Sequence, residues 1–84
     1  MLKVALDEAG KPLAEEREDK LHLTIEAENL DELLEEGSRK FAYAQRGKFG
    51  FGNGGLESLS GCYPVTLTDG TQVYRREVVL TRPI

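Results

Sequence analysis

Eighty-four residues, 39% apolar and 31% charged, suffice for one small domain with one thin core and exclude both a second independent core and a compositionally disordered chain. The single cysteine, Cys62, excludes an internal disulfide and points to a reducing, cytoplasmic setting. The net charge of −4 divides unevenly, because residues 1–36 carry twelve acids and four cations (−8) while residues 37–84 carry three and seven (+4), so the two halves attract each other. No apolar run approaches the roughly 18 residues that span a bilayer, and the acidic turn after MLKVAL predicts a chain that starts at its own methionine, with no signal peptide and no membrane contact. A core this small yields roughly 3–5 kcal/mol, which leaves room for a homo-oligomer or a bound partner to add to it.

MLKVAL alternates Leu2, Val4 and Leu6 against Lys3 and Ala5, the period of a strand with one buried face. Residues 7–20 contain Gly10, Pro12 and nine charges and read as an exposed acidic connection, part of it suited to pairing as an extended edge. LHLTIEAE then sets Leu21, Leu23, Ile25 and Ala27 on one face and His22, Thr24, Glu26 and Glu28 on the other, a half-buried strand.

Asn29 as N-cap with Glu32 in a capping box predicts a helix from Leu30. Its buried stripe would hold Leu30, Leu33, Leu34, Phe41 and Ala44, with Gly37 permitting close approach to a sheet; Glu35 with Arg39 and Glu36 with Lys40 would pair on its surface. Gly37-Ser38 leaves a second assignment open, in which residues 40–52 form a hairpin with Phe41 and Tyr43 facing Phe49 and Phe51. In the helical assignment Gly47 ends the helix in a left-handed conformation and residues 47–61 form a Gly-rich loop.

CYPVTLT and TQVYRREVVL read as strands joined by a type I′ turn at Asp69-Gly70, which places Val65 opposite Tyr74 and gathers Tyr63, Val65, Leu67, Tyr74, Val78 and Leu80 on one face. Arg76 falls on that apolar face and predicts a bulge near Arg75-Arg76 or an open edge, while Pro64 puts its strand at an edge. The order β-β-α-β-β predicts an α+β fold, a two-layer sandwich with one helix packed on a four-stranded, mainly antiparallel sheet, over a single domain of residues 1–84.

The stretch RGKFGFGNGG, residues 46–55, is the one unusual loop. Gly50, Gly52 and Gly55 satisfy G-x-G-x-x-G, but the run follows a helix and opens none, which excludes a dinucleotide cradle. RGKFGFG resembles the RNP1 segment of RNA-recognition domains, whose aromatic rings stack on bases. Lys48 is inserted, MLKVAL has no aromatic residue and no second helix follows, so the resemblance implies no membership of that family. It leaves an alternative reading, single-stranded nucleic-acid binding by Phe49 and Phe51 beside Arg46 and Lys48, opposed by the acidic half of the chain. Otherwise the phenylalanines fold back over the core, or insert into a partner's pocket.

One histidine and one cysteine bound the catalytic options. His22 belongs to a polar strand face, Cys62 reads as a small half-buried residue at a strand start, and no closely spaced Cys/His pair supplies a zinc site. DEAGKPLAEERED lacks the alternating oxygen ligands of a calcium loop. The expectation is no enzyme, no cofactor and no metal. What survives is a small cytoplasmic module that docks on a protein partner as inhibitor or regulator, through Glu15, Glu16, Glu18 and Asp19 and through the loop residues Arg46, Lys48, Phe49 and Phe51. An acidic surface of this kind suits a basic groove that otherwise holds nucleic acid, the strategy of small phage-type inhibitors of host defence complexes.

Overall fold

A computed structural model describes residues 1–82; the end of the expected domain, Pro83 and Ile84, lies outside the described residues. The strands are β1 (Lys3–Val4), β2 (Ala14–Arg17), β3 (Lys20–Ala27), β4 (Leu56–Leu59), β5 (Tyr63–Thr66) and β6 (Gln72–Thr81), with helix α1 (Glu35–Arg46) between β3 and β4. The apolar alternation of LHLTIEA makes β3, which pairs antiparallel with β6 from Lys20 opposite Thr81 to Ala27 opposite Tyr74. Two short strands share each outer position: β1 and β2 both pair with β3, and β4 and β5 both pair with β6. The antiparallel sheet thus has six strands but is four wide, and the helix packs on one face of it.

Each shared edge is interrupted halfway. The Ala5 amide donates to the Thr24 carbonyl at 2.9 Å, the chain leaves the sheet in a hairpin closed by a Leu6–Pro12 bridge, and it returns where the Thr24 amide donates to the Leu13 carbonyl at 2.9 Å. Residues 7–20 are therefore a hairpin and a paired strand rather than a plain connection, and residues 47–61 likewise contain β4. The hairpin also corrects the reading of MLKVAL, since Ala5 is fully buried and Leu6 is 49% exposed.

The helix does not start at Leu30. Residues Leu30–Leu33 form a 3-10 turn, Asn29 makes no side-chain cap bond, and Leu34 at φ −59°, ψ 154° breaks the run before Glu35. The break exposes Leu30 and Leu34 and leaves the Leu33 carbonyl free for non-helical donors: Ser38 Oγ at 2.9 Å and Arg76 Nη1 at 2.8 Å. Leu33, Ser38 and Ala42 are the buried positions, joined by half-buried Phe41, whereas Ala44 is exposed. The surface pairs Glu35–Arg39 (3.2 Å) and Glu36–Lys40 (3.6 Å) form as expected, and the alternative hairpin over residues 40–52 does not.

After α1 a 3-10 turn covers Gly47–Phe49, and the left-handed residue is Gly50 (φ 75°), not Gly47. Donation from the Phe51 amide to the Arg46 carbonyl (3.0 Å) and from the Gly50 amide to the Gly47 carbonyl (3.2 Å) is the Schellman pattern. It swings Phe51 into a core made mainly by Leu21, Leu23, Ile25, Leu33, Val78 and Leu80.

The β5–β6 turn has three residues, Thr68, Asp69 and Gly70, rather than two: the Gly70 amide donates to the Leu67 carbonyl at 2.9 Å, the Leu67 amide to the Thr71 carbonyl at 2.8 Å, and Gly70 takes φ 90°. Val65 consequently lies opposite Val73 and Pro64 opposite Tyr74. A one-residue slip exchanges faces, so Tyr63, Val65 and Leu67 leave the helix side for the open side of the sheet. Pro64 does occupy an edge strand. No bulge forms at Arg75-Arg76, where the β3 pairing runs through unbroken; Arg76 stays on the helix side and its guanidinium donates to the Leu33 and Ser60 carbonyls (2.8 and 2.7 Å). Among the described residues no helix is long and apolar enough to cross a membrane.

Candidate functional site

The acidic candidates share one hairpin but not one face. Arg17 pairs with Lys20, so Glu18 and Asp19 alone form the β2–β3 turn, at φ 55° and 61°, the left-handed positions of a type I′ turn. Glu15 lies opposite His22 on the open side of the sheet; Glu16, on the other side, accepts Arg82 Nη2 at 2.8 Å. His22 Nδ1 lies 3.4 Å from Arg17 Nη2.

The loop candidates are separated by burial. Phe51 is 3% exposed and belongs to the core, so it has no free face for a base or a partner's pocket, and Phe49 is half-buried against the same core. Arg46 is held inward, its Nη1 bound to the Gly54 carbonyl and its guanidinium 4.8 Å from the Tyr43 ring centre. Lys48 is exposed. One residue joins the two groups: Arg82, bound to Glu16, also stacks 4.6 Å above the Phe51 ring. Nothing in its TRPI setting singles it out. The pair Arg75–Glu26 joins an acid of the first half to a cation of the second in the same way, so part of the charge asymmetry is consumed inside the fold, whereas Lys20–Glu57 joins the halves with the signs reversed.

The open side of the sheet carries a second polar arrangement. Lys3, Glu26, Arg75 and Tyr63 stand in one row across β1, β3, β6 and β5. Glu26 is not solvated surface; its side chain is 4% exposed, with Oε1 bound by Arg75 Nε at 2.9 Å and Oε2 facing Lys3 Nζ at 3.7 Å. Arg75 Nη2 also reaches the Leu6 carbonyl at 3.4 Å and ties the first hairpin down. Burial pushes the Tyr63 phenol above its ordinary pKa, Glu77 adds to the rise, and Arg75 opposes it. The strand alternation puts Glu26 on this face, but only the β3–β6 register reveals Arg75 opposite it.

Cys62 is exposed rather than half-buried, and its thiol points to the Leu33 carbonyl 3.8 Å away while His22 contacts Arg17. Among the described residues, no group of three or more His, Cys, Asp or Glu side chains is placed to hold a metal ion. Comparison with known protein families, curated proteins and solved structures finds no match to this chain.

Proposed function

We propose that this chain is a non-enzymatic binding module that docks on a basic surface of a partner protein through the β2–β3 hairpin. The observation that carries this reading is the pair of carboxylates at the hairpin tip, Glu18 and Asp19, both in left-handed backbone. Asn-Gly closes such a turn with little strain, whereas other side chains there cost about 1 kcal/mol or more each. Glu18 and Asp19 also lack any side-chain partner among the described residues, so what the tip meets accounts for them better than what it holds together.

Glu15 extends the same negative surface, while the Glu16–Arg82 pair anchors the hairpin to the body of the domain. A groove that otherwise holds nucleic acid is the kind of basic surface this tip fits, and filling it would inhibit the partner. A reducing cytoplasm suits the free, exposed Cys62.

Wild type and the variant Glu15→Lys/Glu18→Lys/Asp19→Lys, each immobilised, would be compared for recovery of proteins from extract at low and high salt. The reading expects a discrete partner that is lost from the variant, lost at high salt and displaced by added single-stranded nucleic acid. A partner held equally by the variant, or indifferent to nucleic acid, would overturn it.

A further inference from the structure

The hairpin closed by the Leu6–Pro12 bridge, which interrupts one edge of the sheet, and the β5–β6 hairpin flank its open side. Leu6 and Leu13 wall one side of a groove and Val65 and Leu67 the other, enclosing about 570 Å³ above the Glu26–Arg75 pair. At the floor the single charge of Glu26 is met by two cations, Lys3 and Arg75, so the excess of acid is confined to the rim. Asp7, Glu8 and Asp69 are exposed; with Glu26 they make four acids against Lys3 and Arg75, a net −2 in the lining. Asp7 and Asp69 each hold their own turn through Oδ1, which accepts the Lys11 and Thr71 amides at 2.9 Å. Leu6 stands half exposed beside these acids.

We infer that this groove binds an extended segment of a partner protein in which Lys or Arg alternates with aliphatic residues. In an extended chain alternate side chains point to opposite sides, so the aliphatic ones lie between the Leu6 and Leu67 walls while the cations reach the acidic rim. The charge of the lining disfavours acidic or phosphorylated segments and nucleic acid. The groove lies near the Ala27 end of β3 and the acidic tip beyond its Lys20 end, about 20 Å apart at the rise of a strand. The inference therefore stands whether or not the tip docks.

The test is a titration of the 15N-labelled chain with a five-residue peptide alternating valine with lysine and arginine, beside one alternating valine with glutamate. Saturable shifts are expected at the amides of Leu6, Glu26, Leu67 and Arg75 with the cationic peptide alone. Binding should weaken about tenfold in Leu6→Ser, whose exposed site spares the fold, because part of one leucine's apolar contact is lost. It should be unchanged in Glu18→Lys/Asp19→Lys. Shifts confined to the tip, no saturable shift, equal binding by Leu6→Ser, or the same shifts from a single-stranded oligonucleotide would each overturn the inference.

Discussion

Glu26 and Arg75 face each other across the two central strands, and the 2.9 Å bond between them closes the floor of the open sheet face. With side chains 4% and 17% exposed, the pair is largely protected from solvent screening, and withdrawing Arg75 leaves the buried Glu26 carboxylate only the exposed Lys3 at 3.7 Å. Arg75→Ala is expected to destabilise the fold by about 2–4 kcal/mol in urea denaturation, and the double variant Glu26→Leu/Arg75→Met by less than the sum of its singles. Simple additivity would show that the two side chains are not coupled.

The β2–β3 turn makes the opposite prediction for an acidic site. Replacing Glu18 with Asn and Asp19 with Gly supplies residues that tolerate φ near 55° and 61° and should stabilise the chain by about 1–2 kcal/mol. For a domain of this size the thermal midpoint should rise by about 4–8 °C for each kcal/mol. An unchanged midpoint would mean that the turn stores no strain and would remove the main support for a docking role at the tip.

The parts of the fold that follow from near neighbours are legible in the amino-acid sequence. β3, the ion pairs of α1 and the α+β class come from side-chain period and i,i+4 spacing. What the sequence hides depends on partners distant in the chain. Asn29 and Glu32 satisfy a capping pattern, yet the turn they should start is broken where Arg76, 43 residues beyond Leu33, takes the Leu33 carbonyl. Asp69-Gly70 fits both a two-residue and a three-residue turn, and only the second puts Val65 and Leu67 on the open face. The acidic candidates are visible in composition, but the separation of Glu16 from the others requires Arg82.

Two glycines of the same loop should respond with opposite sign. Gly47 already has helical angles (φ −65°, ψ −28°) and nothing within 4 Å of an added Cβ, so Gly47→Ala should stabilise by about 0.5–1 kcal/mol. A Cβ at Gly54 would overlap the Thr81 carbonyl, and because the clash is with backbone, Gly54→Ala should destabilise by about 2 kcal/mol or more. Equal midpoints for the two variants in thermal denaturation would contradict the close approach of Gly54 to β6.

Phe51 is a core residue, so truncating it cannot report on binding alone. Phe51→Ala should cost about 3–5 kcal/mol, comparable to the whole stability of so small a core. Circular dichroism should show it largely unfolded at 25 °C, while Lys48→Ala, at an exposed site, should keep the wild-type midpoint. A folded Phe51→Ala chain of wild-type stability would place that ring outside the core.

Two groups on the β5–β6 side tie stability to pH in opposite directions. The Asp69 carboxyl, bound by the Thr71 amide, sits below its ordinary pKa when folded; its contribution is present above that ordinary value and lost as pH falls through the lowered one. Tyr63, raised chiefly by burial, contributes below the ordinary phenol value near 10 and loses that contribution as pH climbs towards the raised value. Denaturation midpoints across pH should therefore show a shallower decline below about pH 4 in Asp69→Asn, which keeps the amide bond without a titrating proton, and a shallower decline above about pH 10 in Tyr63→Phe. If either variant parallels the wild type on its own limb, that group titrates alike in the folded and unfolded chain, and the hydrogen bond or burial assigned to it does not persist in solution.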